Sequence, residues 1–244
     1  MKSAEKIHIG TSGWHYSHWK GPFYPGSLPK KEFLRYYAAY FQTVEINNSF
    51  YQLPKKETLT VWRNSVPSGF IFTAKASRYI THMKKLKDPI DSLNGLLTAV
   101  EVLGDTLGPI LFQLPPRWRF NPQRLSNFLD SLPPGYRYAF EFRDPTWFDT
   151  RAYEMMSKHG AAFCIYELAG LLSPKEVTTD FIYIRLHGPA EQPYRGQYDT
   201  HVLAGWAAAF STWVRQGKEI FCYFDNDEAG YAAQDALRLQ EMLR

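Results

Sequence analysis

Two cysteines in 244 residues, Cys164 and Cys222, leave this chain without a disulfide framework and without ligand spacing of the CxxC type. Both lie inside apolar runs, so the expectation is two buried thiols in a reducing compartment; a bridge would need the two runs to be neighbours. No apolar run approaches the ~20 residues of a membrane-spanning helix. The polar start, Met1–Lys6, has no apolar core of a secretory signal. A soluble, cytoplasmic protein with no membrane partner is therefore expected. Neither a G-x-G-x-x-G nor a P-loop occurs, so dinucleotide or nucleoside triphosphate use is not indicated. HxH and HExxH spacings are missing too, and no cofactor is implied. Neither sign of charge dominates: 28 Lys and Arg face 24 Asp and Glu, a formal net charge of +4. That suits an anionic ligand without arguing for nucleic acid by itself.

What is present begins with rings. Aromatics make up 16% of the chain, with 7 Trp, 16 Tyr and 17 Phe, more than a core of this size needs. Hydrophobic residues at 45% and charged residues at 21% are ordinary for a globular protein and exclude disorder or coiled coil. The length fits a single α/β barrel domain over residues 1–244, since such barrels need ~250 residues. Short β-rich runs alternate with turn residues and amphipathic stretches. The runs are Ile7–Thr11, Thr43–Asn47, Phe70–Lys75, Pro109–Leu114, Arg137–Phe142, Ala161–Glu167, Asp180–His187 and Glu219–Asp225. Helical patterns cover Lys31–Phe41, Leu93–Leu103, Asn121–Leu132, Val202–Gln216 and Asp227–Leu243, with Asn121–Pro122 as a cap followed by proline. Eight such runs predict a TIM-type (β/α)8 barrel; a doubly wound sheet shares the alternation and is the alternative.

Side chains of a strand alternate faces. Glu45 and Asn47 oppose Val44 and Ile46; Glu141 and Arg143 oppose Phe140 and Phe142. Arg185 and His187 oppose Ile184 and Leu186, and Asp225 opposes Phe224. Lys75 and Gln113 end their runs in the same way. In a barrel the polar set faces the axis at the C-terminal mouth, where barrel active sites are built.

The segments IGTSGWHYSHWKGPFYP, TVEINNSFYQLP, GFIFTAKASRYITH, LGPILFQLPP, FEFRDPTW, FIYIRLHG and CYFDND, in this order, resemble the YecE-like family over nearly the whole chain. The resemblance implies a TIM-type barrel with a pocket at the strand C-termini. It implies no reaction, because the family is a domain of unknown function. Two stretches depart from the family pattern. Phe224-Asp225-Asn226-Asp227 carries a carboxylate where the pattern has two asparagines before the last aspartate. Ala232-Ala233-Gln234-Asp235-Ala236 replaces a stretch containing proline and asparagine.

Two readings of the ring compete. Three carboxylates, three permanent cations and one histidine can form a buried salt-bridge network that fixes the barrel. They can equally line a pocket for an anionic or hydroxyl-rich ligand. In that pocket Glu45, Lys75, Glu141 and His187 are the candidate catalytic groups. Asn47, Gln113, Arg143, Arg185 and Asp225 would bind substrate, joined by Tyr194, Arg195 and Tyr198 from the loop after the seventh run. Lys75 can serve as ion-pair partner, phosphate contact or Schiff-base amine. Glu45, Glu141, His187 and Asp225 could also ligate a divalent metal, against which the three cations argue. Rings and basic residues follow several runs: Trp14, His15, Tyr16, His18 and Trp19; Arg78, Tyr79, His82, Lys84, Lys85 and Lys87; Arg117, Trp118 and Arg119; Trp147. They suit base or sugar stacking, or merely anchor loops. The leading expectation is an enzyme doing acid–base chemistry on a phosphorylated or polyanionic substrate. The alternatives are a non-catalytic binder of nucleic acid or another polyanion, and a metal-dependent phosphodiesterase, the latter by fold analogy only.

Overall fold

Period-two alternation becomes eight parallel strands in a computed structural model that describes residues 6–244. The strands are β1 (Ile7–Thr11), β2 (Thr43–Ile46), β3 (Ile71–Lys75), β4 (Leu107–Gln113), β5 (Tyr138–Glu141), β6 (Ala162–Leu168), β8 (Phe181–Leu186) and β9 (Glu219–Phe224). A two-residue strand, β7 (Leu171–Leu172), pairs antiparallel with β6. The sheet runs β1-β9-β8-β6-β5-β4-β3-β2. Helices α1 (Phe33–Tyr37), α2 (Lys56–Asn64), α3 (Pro89–Val100), α4 (Pro122–Asp130), α5 (Thr150–Lys158), α6 (Thr200–Arg215) and α7 (Tyr231–Glu241) fill the connections. The expected barrel is present, and the doubly wound alternative is not. Of the polar start Met1–Lys6, only Lys6 lies within the described residues. No helix of the described chain is long and apolar enough to cross a membrane.

The barrel closes between β1 and β2 with little ladder. Gly13 N–H donates to the Glu45 carbonyl at 2.9 Å near the mouth. Lower down, the Tyr37 hydroxyl stands between the strands. It accepts from Thr11 N–H at 2.9 Å and donates to the Thr43 carbonyl at 3.0 Å. The strands approach so closely that a Cβ on Gly10 would lie 2.2 Å from the Thr43 carbonyl oxygen, which requires glycine there. Below the hydroxyl the seam widens into a cavity of about 770 Å³, lined among others by Ile7, Ile9, Gln42 and Phe70. This larger hollow is at the end opposite the polar ring.

One connection departs from the (β/α)8 expectation. Between β6 and β8 the chain forms a hairpin through Ala169 and Gly170, both at positive φ, and returns without a helix. β5 and β6 pair over only two positions. The returning segment covers part of the edge left free: Thr178 Oγ accepts from Phe163 N–H, and Ser173 Oγ accepts from Tyr166 N–H.

Two apolar layers result. Outward strand residues such as Val44, Phe72, Phe112, Ile184 and Cys222 pack under the helices. Inward residues Leu111, Ala139, Ala162, Cys164, Phe181, Tyr183, Phe221 and Tyr223 fill the barrel. Both thiols are buried and free, as expected. Cys164 faces the barrel interior, whereas Cys222 packs in the outer layer under the helices. The excess of rings is also explained. Trp14, Trp19, Tyr24, Phe33, Tyr37 and Phe41 are buried in the excursion between β1 and β2, and Trp147 is buried after β5. Trp14, Trp19 and Trp147 are thus packing residues and not stacking platforms.

Candidate functional site

Side chains on the axis change character from bottom to top. Arg137, Glu219 and His8 close the N-terminal end, with Arg137 over the Phe221 ring. Phenol hydroxyls follow: Tyr223 meets Thr43 Oγ at 2.7 Å, and Tyr183 donates to Glu45 Oε2 at 2.7 Å. Above them lies the charged ring, so the predicted residues Glu45, Lys75, Glu141, Arg185, His187 and Asp225 do gather at the C-terminal mouth, all buried.

Arg185 sits at the centre with no exposed surface. Its Nε donates to both Glu45 oxygens, at 3.2 and 3.0 Å. Nη1 reaches Glu141 Oε2 at 2.8 Å and His187 Nε2 at 3.3 Å. Nη2 reaches Glu45 Oε1 at 2.7 Å, Asp225 Oδ2 at 3.0 Å and Ser12 Oγ at 3.1 Å. Every donor of the fork is engaged, so Arg185 is an internal counter-ion and not an open fork for substrate. Burial alone would lower its pKa; Glu45, Glu141 and Asp225 instead hold it well above the usual value. Burial would raise the carboxyl pKa of Glu141, but Arg143 and Arg185 keep it well below the usual range. Against the same opposing burial, Arg185 and the His187 hydrogen bond lower that of Asp225.

His187 bridges the two halves of the ring. Its Nδ1 faces Asp225 Oδ2 at 2.9 Å, and its Nε2 faces Arg143 Nη2 at 3.0 Å. Guanidinium groups can only donate, so Nε2 is the acceptor and the neutral ring carries its proton on Nδ1. Arg143 also pairs through Nε with Glu141 and lies over the Tyr166 ring, and its side chain is 8% exposed.

Lys75 stands apart. It is 7% exposed, yet it makes no ion pair or hydrogen bond through its amine among the described residues. Its Nζ lies 4.5 Å from the centre of the Phe50 ring. Burial, then Arg185, lowers its pKa to about 8, against the pull of Glu45, Glu141 and Asp225. All three carboxylates are directed at other cations. The side chains of Asn47 and Gln113, half-buried at the same end, form no hydrogen bond within the described chain.

The loop after β8 supplies the rim. Gly188 has φ +101°, and a Cβ there would meet the Arg195 carbonyl at 2.2 Å, so the loop folds back on the strand end. Tyr194 packs edge-on against His187 at 5.5 Å and is 47% exposed. Arg195 is exposed and lies 3.6 Å from Glu228. These two line a shallow pocket of about 330 Å³ with Asp225, Asp227 and Glu228, more acidic than sequence reading expects. Tyr198 does not belong to the mouth: it is buried against Phe224 in the outer layer, and its hydroxyl accepts from Gly188 N–H. Sequence reading places His82 in a basic loop but not in the site. The imidazole packs edge-on to Phe50 at 5.0 Å, and burial followed by Lys75, Arg78 and Arg143 lowers its pKa. Its signal is a single-turn π-helix, Tyr79–Met83, a local irregularity often found at functional sites. No group of three or more His, Cys, Asp or Glu among the described residues is arranged to hold a metal ion.

A family model described as "Protein of unknown function DUF72" matches residues 8–244. The chain belongs to the DUF72 family. Its relatives include the UPF0759 protein YunF of Bacillus subtilis, 26% identical over 97% of this chain and 94% of that protein. The UPF0759 protein YecE of Escherichia coli K12 is 33% identical over 58% of this chain; that match spans about half of the length of YecE. A DUF72 protein of Thermotoga maritima, solved by crystallography, superposes with a TM-score of 0.88 at 31% identity, covering 97% of this chain and 98% of its own. One from Enterococcus faecalis gives 0.84 at 19% identity, covering 97% and 95% respectively, and shares the fold. The DUF72 barrel is thus the frame on which the ring is mounted, and the family description assigns it no chemistry.

Proposed function

We propose that this DUF72 protein is an enzyme doing acid–base chemistry on a small phosphorylated or otherwise anionic substrate at the C-terminal mouth of its barrel. The observation that carries the reading is Lys75, a buried cation that forms no ion pair among the described residues and whose pKa lies near 8. A purely structural ring would pair it. Groups with shifted pKa values in a cleft are candidates for function because tuning them costs stability. In this reading Lys75 holds or releases a proton near neutral pH, and the uncommitted amides of Asn47 and Gln113 orient the ligand. Arg143 receives the anion, since it lies at the edge of the ring and Arg185 is fully occupied. Glu45, Glu141, Asp225 and His187 then serve chiefly to fix Arg185 and Arg143.

The test is a set of thermal melts at several phosphate concentrations and constant ionic strength. A ligand that binds only the folded state raises its melting temperature by mass action. Phosphate should stabilise the wild type and stabilise Arg143→Gln far less; a flat wild-type response would sink the reading. A second reading, a polyanion or nucleic-acid binder, is favoured by one feature. Tyr51 is 77% and Tyr79 49% exposed beside the mouth, with the Lys84 amine 5.4 Å from the Tyr79 ring centre. Tight, salt-sensitive binding of single-stranded oligonucleotide without any phosphate effect would select it.

A further inference from the structure

We infer that Lys75 is the amine on which this site captures a small aldehyde or ketone bearing an anionic group, as a Schiff base; the inference rests on the acid–base reading above and names its substrate class. Three geometric facts carry it. The residue is at the inward end of β3, inside the mouth, with Phe50 as a wall on one side. Among the described residues no carboxylate pairs with it, so no ion pair must break before the nitrogen can attack. Among the described residues the only sealed side-chain nitrogens without a partner are the indoles of Trp14 and Trp19. The Lys75 amine is therefore deep but not closed off.

The groups around it suit the steps. Glu45 on β2, Glu141 on β5, Arg185 on β8, Asp225 after β9 and His82 after β3 all act electrostatically with this amine. Burial and Arg185 together favour the neutral form, which is the nucleophile. At pH 7 an amine with a pKa near 8 has roughly two- to three-hundredfold more free base than an ordinary lysine. Its lone pair forms the C–N bond at the carbonyl carbon. One amine proton passes to the carbonyl oxygen to give a carbinolamine. Loss of the second proton from nitrogen, with protonation and departure of the hydroxyl, releases water and leaves the C=N bond. No oxidant or reductant is needed. His82 is available to accept and return the proton, because burial and then Lys75, Arg78 and Arg143 disfavour its charged form. The anionic group of the substrate would lie toward Arg143, as in the reading above.

The experiment treats the full chain with glyoxylate and cyanoborohydride over a range from about pH 6 to about pH 10. Reduced adducts are located by peptide mass mapping. Lys75 should be modified first, at least about tenfold faster than any surface lysine near neutral pH, with the advantage shrinking as ordinary amines deprotonate. Lys75→Met should abolish the fast phase. Modification of Lys75 no faster than surface lysines would overturn the inference. Equal rates with glyoxylate and neutral acetaldehyde would overturn its anionic part. The two readings fail distinguishably: slow labelling with an intact phosphate shift removes the Schiff base and leaves the acid–base reading, whereas a flat phosphate response removes that reading, and fast labelling would then mark Lys75 only as a reactive amine.

Discussion

Lys75 and Arg185 occupy the same ring and show opposite solutions to burying a cation. Arg185 has a full set of acceptors, three of its partners being carboxylates. Lys75 has an aromatic face and, among the described residues, no paired anion. The lowered Lys75 pKa has a thermodynamic counterpart. Below pH about 8 both the folded and the unfolded chain hold the proton, and the full cost of the buried charge is felt. As pH rises from there to 10.5 the folded chain sheds the proton first, and the cost disappears. The gap corresponds to about 3 kcal/mol. Lys75→Met should therefore stabilise the protein by about that amount at pH 7, with the gain vanishing above pH ~10.5. Denaturant unfolding at several pH values measures it; a variant less stable than wild type at neutral pH would make Lys75 a structural cation. Strand alternation already identifies all these residues as inward-facing. Which of three cations receives the three carboxylates is not legible, because it depends on how strands far apart in sequence meet across the axis. The same holds for Tyr198, whose place in the outer layer depends on how the loop after β8 folds back.

At the scale of elements, the strands are the legible part. All eight predicted runs appear within a few residues of their expected limits, because the two faces of a barrel strand differ in chemistry. Helices α2 and α5 escape the pattern: Leu59 is the only buried residue of α2, and Ala152 and Met156 are the only ones of α5. Both are amphipathic, but their apolar stripes are narrow and their composition is mostly polar, so they stand out less from the loops around them than the Leu- and Ala-rich helices do. The hairpin that replaces the sixth helix escapes it as well, since Leu171 and Leu172 are both exposed. Tyr37 shows how an element can depend on one atom. Its hydroxyl serves Thr11 N–H and the Thr43 carbonyl together. Tyr37→Phe leaves both buried backbone groups short of a partner and should cost roughly 1–3 kcal/mol for each. Hydrogen exchange should locate the loss, with Thr11 and its β1 neighbours exchanging faster while β4 and β5 stay protected. An unchanged β1 would mean that the seam is held by packing alone.

The molecule as a whole has one probe of its integrity at each layer. Cys164 is inside the barrel, where burial and Glu141 push its thiol well above the usual pKa. Cys222 lies under the helices, and burial pushes it up as well. Neither can react as a thiolate without substantial opening. In native protein a thiol reagent should therefore modify both at one common slow rate that follows global unfolding. Selective early labelling of Cys222 would show helices lifting from an intact barrel. The reverse order would show the barrel opening between β5 and β6.

The thin seam also bears on how the chain comes into being. β1 has ladder partners only on β9, five residues in register from Ile7–Ile220 to Thr11–Phe224. Toward β2 it has only the hydroxyl of Tyr37 and the contacts beside Gly13. The ribosome makes β1 first and β9 after six further barrel strands. Until Glu219–Phe224 has emerged, the oldest strand has nothing to pair with along its main edge, and the ring-rich stretch that follows it has no finished wall to pack on. Barrel closure is thus an event of late translation, and the first strand synthesised is the last to be secured.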